Sequence, residues 1–302
     1  MSIVATPVTF SGQPALRISN EALTLWLTTA VGPRILGLAA SGGENLFAVL
    51  PPSNAYRTPA GRTYTFRGGH RLWHAPEHPE RTYVPDDAPL AISATADGTT
   101  VTQPVEDVTS IDKQLTVALA PQAPQVTVTH RLTNRGNRPV TLAPWAITQL
   151  RPGGVGILPL PTADTGLLPN RRLALWPYTR VTSPHLRWDD RFLLVSAAMR
   201  AERFKIGWTN PAGWLAYLID DLLFVKHAPY EPGGEYVDFS SNSECYCDDH
   251  FLELETLGPL VSLAPGEATE HVETWQVHSG VGAAADPAAF GALVVRLGLA
   301  RD

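Results

Sequence analysis

Positive charge carried by lysine is almost missing from this chain of 302 residues. The only lysines are Lys113, Lys205 and Lys226, so arginine supplies nearly all of the 23 basic side chains. The formal net charge is −6. Because nucleic acids and anionic membrane surfaces bind clustered positive charge, this balance argues against either one as a partner.

Cysteine is equally scarce. A disulfide between the two cysteines, Cys245 and Cys247, would close a very small and strained ring. We therefore expect reduced thiols and a cytoplasmic protein. No run of residues approaches the roughly 18 apolar residues of a membrane span, and the first residues lack the basic and apolar regions of a signal peptide.

Residues 244–250 contain side chains that could ligate a metal ion. A persuasive zinc site would need a second ligand pair, which this spacing lacks. Calcium could bind weakly to nearby acidic residues, but no EF-hand pattern is present. We interpret the segment as a solvated turn. Because phosphate-binding and dinucleotide-binding glycine motifs are also missing, we expect neither a metal nor a cofactor.

What the chain does contain is a period-two alternation of apolar and polar residues. In residues 125–133, Val126, Val128, His130 and Leu132 share one face, and polar residues form the other. Such alternation predicts half-buried strands and makes His130 a core residue. Strands are also predicted near 22–27, 33–39, 90–95, 114–119, 139–150, 192–197, 203–208, 214–219, 222–227, 251–257 and 270–278.

One C-terminal segment favours a helix. Asp286 suits the N-cap, Pro287 the first turn and Gly298 the residue that ends the helix. The stretch 51–88 has no clean strand pattern and predicts a long loop, of the type that often carries function. We predict an all-β fold in one domain over residues 1–302. It should be a large antiparallel β-sandwich with a concave face and a short C-terminal helix.

Three segments resemble the galactose mutarotase-like (aldose 1-epimerase) superfamily. Residues 66–77 are similar to its Gly-Gly segment, which lines the sugar cleft, and residues 125–150 to its Thr-Asn hairpin. Residues 252–267 are similar to its Leu-Glu-Thr strand, which bears the general base, and to its Leu-x-Pro-Gly-Glu turn. The resemblance covers nearly the whole chain. It implies a divergent branch of the superfamily with a sugar as ligand.

Two departures affect the chemistry that this resemblance implies. Mutarotases carry a histidine general acid where this chain has Trp145, and a second histidine where it has Arg67. The glutamate that is the general base in mutarotases corresponds to Glu255 in this chain. The resemblance therefore implies a general base without its usual acid, which puts ordinary mutarotation in doubt.

The predicted strand 251–257 supplies carboxylates for acid–base chemistry. Its alternation places Glu253 and Glu255 on one face. Exchange of anomers needs a base for the anomeric hydroxyl and an acid for the ring oxygen. We expect Glu255 to be the catalytic base and Glu253 to bind the sugar. The alternative is that both are ordinary residues on an exposed strand face.

The segment 67–77 supplies hydrogen-bond donors and an aromatic platform. His74 or His70 could replace the missing acid, because histidine titrates near neutral pH. The residues expected to hold the sugar are Arg67, Arg71 and Trp73. The alternative is a loop held by Arg–Glu pairs and a buried tryptophan.

Three further residues complete the predicted binding site: Arg34, Trp176 and Lys226. Arg34 begins an apolar strand, where a charge lies either in a cleft or at the sheet rim. Trp176 could form a second aromatic wall, although core packing is the commoner fate of tryptophan. Lys226, like Lys205, could face an anionic sugar, although such a lysine more often extends to solvent.

These residues favour an isomerase of the aldose 1-epimerase kind that acts on a sugar by general acid–base catalysis. A non-catalytic sugar-binding or regulatory domain is the alternative, favoured by the loss of both acid-side histidines. Cleavage of oligosaccharides is a third option, because one fold hosts several chemistries. The expected partner is a small carbohydrate, and the sequence determines neither the sugar nor the oligomeric state.

Overall fold

Strands dominate the computed structural model, which describes residues 5–95, 98–282 and 287–299. In chain order, the strands are β1 (Ala5–Phe10), β2 (Gln13–Ser19), β3 (Leu23–Thr28), β4 (Arg34–Ala40), β5 (Ala55–Arg57), β6 (Thr63–Thr65), β7 (His70–Ala75), β8 (Ala91–Ala94), β9 (Gly98–Thr102), β10 (Ile111–Leu119), β11 (Gln125–Asn134), β12 (Val140–Leu150), β13 (Val155–Pro159), β14 (Leu173–Leu175), β15 (Leu186–Trp188), β16 (Phe192–Ser196), β17 (Phe204–Trp208), β18 (Trp214–Ile219), β19 (Leu222–His227), β20 (Ser243–Cys247), β21 (Leu252–Leu257), β22 (Val261–Leu263) and β23 (Ala268–His278). A four-residue helical turn, α1 (Val237–Ser240), and the helix α2 (Pro287–Arg296) complete the described elements.

Two antiparallel sheets contain all of these strands except the β5–β6 hairpin. The first sheet has the order β1-β2-β3-β4-β7-β12-β21-β20-β17-β14, with β22 paired to β12. The second has the order β15-β16-β13-β18-β19-β23-β11-β10-β9-β8. Each stretch for which the sequence predicts a strand lies in one of the two sheets. The predicted all-β sandwich is therefore confirmed.

The main core lies between the two sheets. Leu252 and Leu254 of β21 join the same buried cluster as Val126 and Val128 of β11. Because side chains alternate along a strand, the residues between them point to the opposite face of each sheet. The outer face of the first sheet is thereby free to carry polar residues such as Glu253.

Helix α2 confirms the predicted C-terminal helix and covers the outer face of the second sheet. Its apolar side chains, including Phe290 and Leu293, join a cluster with residues of β13, β16, β18 and β19. The helix ends at Gly298, which has φ of 66°. The N–H groups of Gly298 and Leu299 bond to helix carbonyls in a Schellman pattern. Asp286, the predicted N-cap, lies outside the described residues.

No helix in the described part of the chain has the length and apolar character needed to cross a membrane.

Four strands lie where the sequence analysis predicted a loop and a solvated turn. Strands β5, β6 and β7 fall within the stretch 51–88, and β20 overlaps the acidic segment around Cys245 and Cys247. Both cysteines face the core, and burial raises the pKa of each thiol. Glu244 and Tyr246 alternate with them on the opposite face. Charged and histidine residues at alternate positions had hidden the strand pattern in both segments.

A buried ion pair between neighbouring strands of the second sheet is also hydrogen-bonded to the first sheet. The Nζ of Lys226 (β19) lies 2.9 Å from a carboxylate oxygen of Glu273 (β23), and both side chains are fully buried. Lys226 also donates hydrogen bonds to the carbonyls of Ala146 and Leu254 in the first sheet. The expectation that Lys226 faces a sugar or solvent is not met, because these acceptors hold it in the core.

Three histidines extend this polar core. The Nε2 atoms of His70 and His130 are 2.7 Å apart, and Nδ1 of His130 bonds to the carbonyl of His271. Burial lowers the pKa of all three histidines. Because each stays neutral at physiological pH, the rings act as hydrogen-bonding links between the sheets. The predicted core position of His130 is confirmed.

The buried ion pair predicts a large effect of one substitution. Lys226→Met would leave the carboxylate of Glu273 in the core without its cation, which should cost about 3–5 kcal/mol of unfolding free energy. Urea unfolding followed by tryptophan fluorescence measures this loss. Arg131→Met is the matched control, because it breaks an exposed ion pair with Glu270 and should cost at most about 1 kcal/mol. Equal losses in the two variants would contradict the bridging role.

Candidate functional site

Five neighbouring strands of the first sheet, β7, β12, β21, β20 and β17, form the floor of the candidate site. Their register places Arg71 opposite Ile147, and Ile147 opposite Glu255. Glu255 in turn lies opposite Glu244. Because residues opposite one another project from the same face, the outer face of this sheet gathers charged groups from several strands.

A cavity of about 450 Å³ lies over this floor. Strand residues form its base, and the stretch 53–83 supplies one wall. The lining residues are Ser53, Asn54, Ala55, Tyr56, Phe66, Arg71, Trp73, Glu77, Tyr83, Trp145, Ile147, Tyr178, Arg203, Lys205, Tyr246, Asp248, Phe251 and Glu253. The cavity therefore combines many aromatic rings with a few charged groups, which is typical of small-molecule sites.

Arg71 and Glu253 form the first charged pair of the cavity. The Nη2 of Arg71 lies 3.0 Å from Oε1 of Glu253, which also accepts a hydrogen bond of 2.9 Å from Gln149. The guanidinium stacks 4.1 Å from the ring centroid of Trp73. The Nε and Nη1 atoms of Arg71 have no hydrogen-bond partner among the described residues. Arg71 is held in place by Glu253 and Trp73, and these two nitrogen atoms therefore remain able to donate hydrogen bonds to a ligand.

Lys205 forms the second charged group. Its Nζ lies 2.8 Å from Glu244 and 3.1 Å from Glu255. The rings of Trp145 and Trp176 flank the ammonium at 4.8 and 4.9 Å. Lys205 is only 6% exposed, so the expectation that it extends to solvent is not met. The two carboxylates and two aromatic rings hold its charge at the cavity.

Glu255 lies behind Lys205 and does not line the cavity. Trp145 donates a hydrogen bond of 2.8 Å to Oε2 of Glu255, the same oxygen that Lys205 contacts. Glu255 is fully buried, whereas Glu253 keeps 7% of its surface exposed. The carboxylate that reaches the cavity is therefore Glu253.

Burial and charge raise the pKa of two carboxyls of this site, those of Glu253 and Glu244. Burial, opposed by Arg71 and reinforced by the charge of Glu255, raises the pKa of Glu253 to about 7. Burial also raises the pKa of Glu244 well above its usual range, against the opposing charge of Lys205. Burial alone would lower the pKa of Lys205, but Glu244 and Glu255 raise it overall. A carboxyl proton is thus present near neutral pH.

The structure brings only part of the predicted site together. Arg71, Trp73 and Glu253 line the cavity. Glu255 and Trp176 lie beside Lys205. The remaining predicted site residues do not line the cavity, and they are His70, His74, Arg34, Arg67 and Lys226.

The two histidines are separated from the cavity by strand alternation. His70, Leu72 and His74 of β7 point toward the core, whereas Arg71 and Trp73 point toward the cavity. His74 is 1% exposed, and its Nε2 lies 3.8 Å from Glu106. Burial lowers the pKa of His74, so it stays neutral.

Arg34 and Arg67 hold the segment that leads into β7. The fully buried Arg34 donates to the carbonyl of Gly68 at 2.6 Å and pairs with Asp86 at 3.1 Å. Arg67 pairs with Asp86 at 2.8 Å and also contacts Asp87. Gly68 has φ of 87°, and a Cβ there would lie 2.0 Å from the carbonyl oxygen of Ala48. The Gly-Gly segment therefore lets the chain pack closely against Ala48, and this packing positions β7.

Sequence reasoning did not assign a role to several residues that form the site. Gln149 and Tyr246 are adjacent to Glu253 in the sheet register. Glu244 shares a face with Tyr246, and alternation around the two cysteines could have indicated this. The contributions of Tyr56 and Tyr83 could not be read from the sequence, because they depend on how the stretch 53–83 folds over the sheet.

Comparisons with solved structures identify the fold. A TPR-domain containing protein from Parabacteroides distasonis has a TM-score of 0.62 and 14% identity, with 91% of this chain and 49% of that chain covered. The chain thus spans about half of that protein. A galactose mutarotase-like protein from Lactobacillus casei has a TM-score of 0.55 and 12% identity, with 87% of this chain and 100% of that chain covered.

A candidate aldose 1-epimerase from Escherichia coli K12 has a TM-score of 0.54 and 14% identity, with 88% of this chain and 99% of that chain covered. No protein-family profile and no curated protein matches the sequence. The chain has the galactose mutarotase-like fold, as its sequence motifs predict. At these identities the likeness establishes the fold alone, so function has to be argued from the site.

The raised pKa of Glu253 predicts a pH dependence of stability. The folded carboxyl keeps its proton up to about pH 7, whereas the unfolded chain releases it near pH 4.5. The stabilisation from this group is therefore complete below about pH 4.5 and is lost as the pH rises through about 7. Relative to Glu253→Gln, the wild-type protein should lose unfolding free energy between pH 5 and pH 8.

Urea unfolding at pH 5, 6, 7 and 8 measures the difference between the two proteins. Glu270→Gln removes an exposed carboxyl and controls for the loss of one charge. A stability difference between wild type and Glu253→Gln that stays constant over this range would contradict the assignment.

Proposed function

We propose that the cavity over β7, β12, β21, β20 and β17 binds a carbohydrate. Sugar rings present C–H faces that pack on aromatic rings, and hydroxyls that bond to fixed charged groups. Trp73 and Trp145 supply aromatic rings for the C–H faces. The charged groups for the hydroxyls come from Arg71, Glu253 and Lys205. A volume of about 450 Å³ lies in the range of small-molecule sites.

We further propose that the site interconverts sugar anomers by acid–base catalysis, with Glu253 as the base. A general acid or base works best when its pKa lies near the working pH, and the pKa of Glu253 is about 7. The position of Glu253 at the cavity, paired with Arg71 and sharing the lining with Lys205, is the observation that carries the proposal. Ionised Glu253 takes the proton of the anomeric hydroxyl, and the bond between C1 and the ring oxygen breaks.

Lys205 is the donor that we assign to the ring oxygen. Lys205 lines the same cavity as Glu253. Because its pKa is raised, it gives its proton to the ring oxygen only as the C1–O bond breaks, when that oxygen becomes an alkoxide and a stronger base than the amine. The resulting aldehyde turns about its C1–C2 bond. Ring closure on the other face returns one proton to Lys205 and one from Glu253 to the anomeric oxygen, so no external reactant is consumed.

This assignment differs from the sequence expectation in one respect. The sequence motif favours Glu255 as the base, but Trp145 and Lys205 cover that carboxylate. We propose instead that Glu255 influences the protonation of Glu253 and the position of Lys205. Its negative charge raises the pKa of Glu253 and helps to hold the ammonium of Lys205 in place.

Non-catalytic sugar binding is the second candidate function. No histidine lines the cavity among the residues that the structure describes, and Lys205 is already paired with two carboxylates. A donor held this firmly would suit recognition as well as proton transfer.

Activity and binding can be separated with one set of variants. In saturation-transfer NMR on α-glucose, α-galactose and a wider sugar panel, the wild-type protein should speed anomer exchange beyond the buffer rate. Glu253→Gln should lose about 10²–10⁴-fold of that rate, because an amide cannot take the proton. Glu270→Gln, on the exposed surface away from the cavity, should keep the wild-type rate.

Ligand-observed NMR on the same samples reports binding. Binding without any catalysed exchange in the wild-type protein would exclude the isomerase and leave the binding function. The complete lack of binding across the panel would exclude both.

A further inference from the structure

The cavity has an inner part and an outer part that differ in exposure. Trp73 and Trp145 of the inner part are each 4% exposed and lie next to the charged groups. The outer part contains four tyrosines that are half-buried or exposed, and Tyr178 reaches 41% exposure. The aromatic lining therefore continues from the charged floor out to the mouth.

The four tyrosines form two pairs, one in the stretch over β7 and one at β20 and the segment after β14. Tyr56 and Tyr83 belong to the stretch that covers β7, and their ring centroids are 4.4 Å apart. Tyr178 follows β14, and it meets Tyr246 of β20 with centroids 6.3 Å apart. Each wall of the mouth thus ends in a pair of aromatic rings.

Carboxylates orient one ring in each pair. The hydroxyl of Tyr83 donates to Glu77, and the hydroxyl of Tyr246 donates to Asp248 at 3.2 Å. Rings held in this way lose little conformational entropy when a ligand stacks on them. These side chains are not needed to hold the inner charged groups, which have their own partners.

The cavity of about 450 Å³ opens to solvent at the mouth between the tyrosines. A ligand whose first ring lies over Glu253 can therefore extend outward between them.

We propose that the natural ligand is a saccharide of at least two rings, with its reducing-end ring at Glu253 and the next ring between the two tyrosine pairs. This inference rests on the proposed carbohydrate function and adds the class of ligand to it. The inner charged groups recognise the first ring through its hydroxyls. The tyrosines recognise the second ring through its C–H faces and tolerate different linkages.

Isothermal titration calorimetry with glucose, galactose, maltose, cellobiose and lactose tests the proposal. At least one disaccharide should bind about tenfold more tightly than the monosaccharides from which it is built, as expected for one additional stacked ring. Tyr178→Ala should remove this advantage, so that the disaccharide and its monosaccharides bind with similar Kd values. Tyr230→Ala should keep the advantage, because Tyr230 stacks on Tyr236 away from the cavity.

Three other results would each contradict a different part of the proposal. Monosaccharides that bind as tightly as every disaccharide would overturn the two-ring ligand and leave the carbohydrate site standing. A disaccharide advantage that survives Tyr178→Ala would overturn the role of the tyrosines. If no saccharide of either size binds, the proposed function itself fails.

Discussion

The site depends on the two-residue period of the strands in the first sheet. On β7 and β21, each residue that faces the cavity has neighbours that face the core, as Glu253 does between Leu252 and Leu254. A slip of one residue in register would bury the charged groups in an apolar core and expose the leucines. The buried core between the sheets fixes the register of these strands. It therefore also determines which side chains reach the cavity on the opposite face of the first sheet.

Charge balance is the second constraint. Removing a carboxylate or an ammonium from water is costly unless a partner is fixed nearby. The cavity floor meets this requirement by pairing Arg71 with Glu253 and by placing Lys205 between Glu244 and Glu255. Carboxyls outnumber the cations in this group, so one carboxyl keeps a proton more readily than it would in water. The same arrangement of charges thus also raises the pKa of Glu253.

Sequence patterns predicted the architecture better than they predicted the site. Alternation identified strands such as β11 and β21 because their core faces are mainly apolar, as with Val126, Val128 and Leu132 of β11. It missed β7, where His70 and His74 occupy core positions, since buried histidines are recognisable only from their partners on other strands. Distant contacts also explain why Lys226 was misplaced. Its acceptors come from β12, β21 and β23, and no local pattern reveals that they meet.

The histidines of β7 show why fold likeness alone does not define the chemistry. His70 and His74 lie on the strand that supplies Arg71 to the cavity, yet the pleat turns their rings into the core. Their burial favours the neutral form, which is a poor proton donor. His70 also forms a hydrogen bond with His130 of the second sheet. Glu253 reaches the cavity from β21, and its burial has the opposite effect, since desolvation disfavours the charged form of an acid. The same physical effect that keeps the histidines neutral thus leaves this carboxyl able to exchange a proton near pH 7.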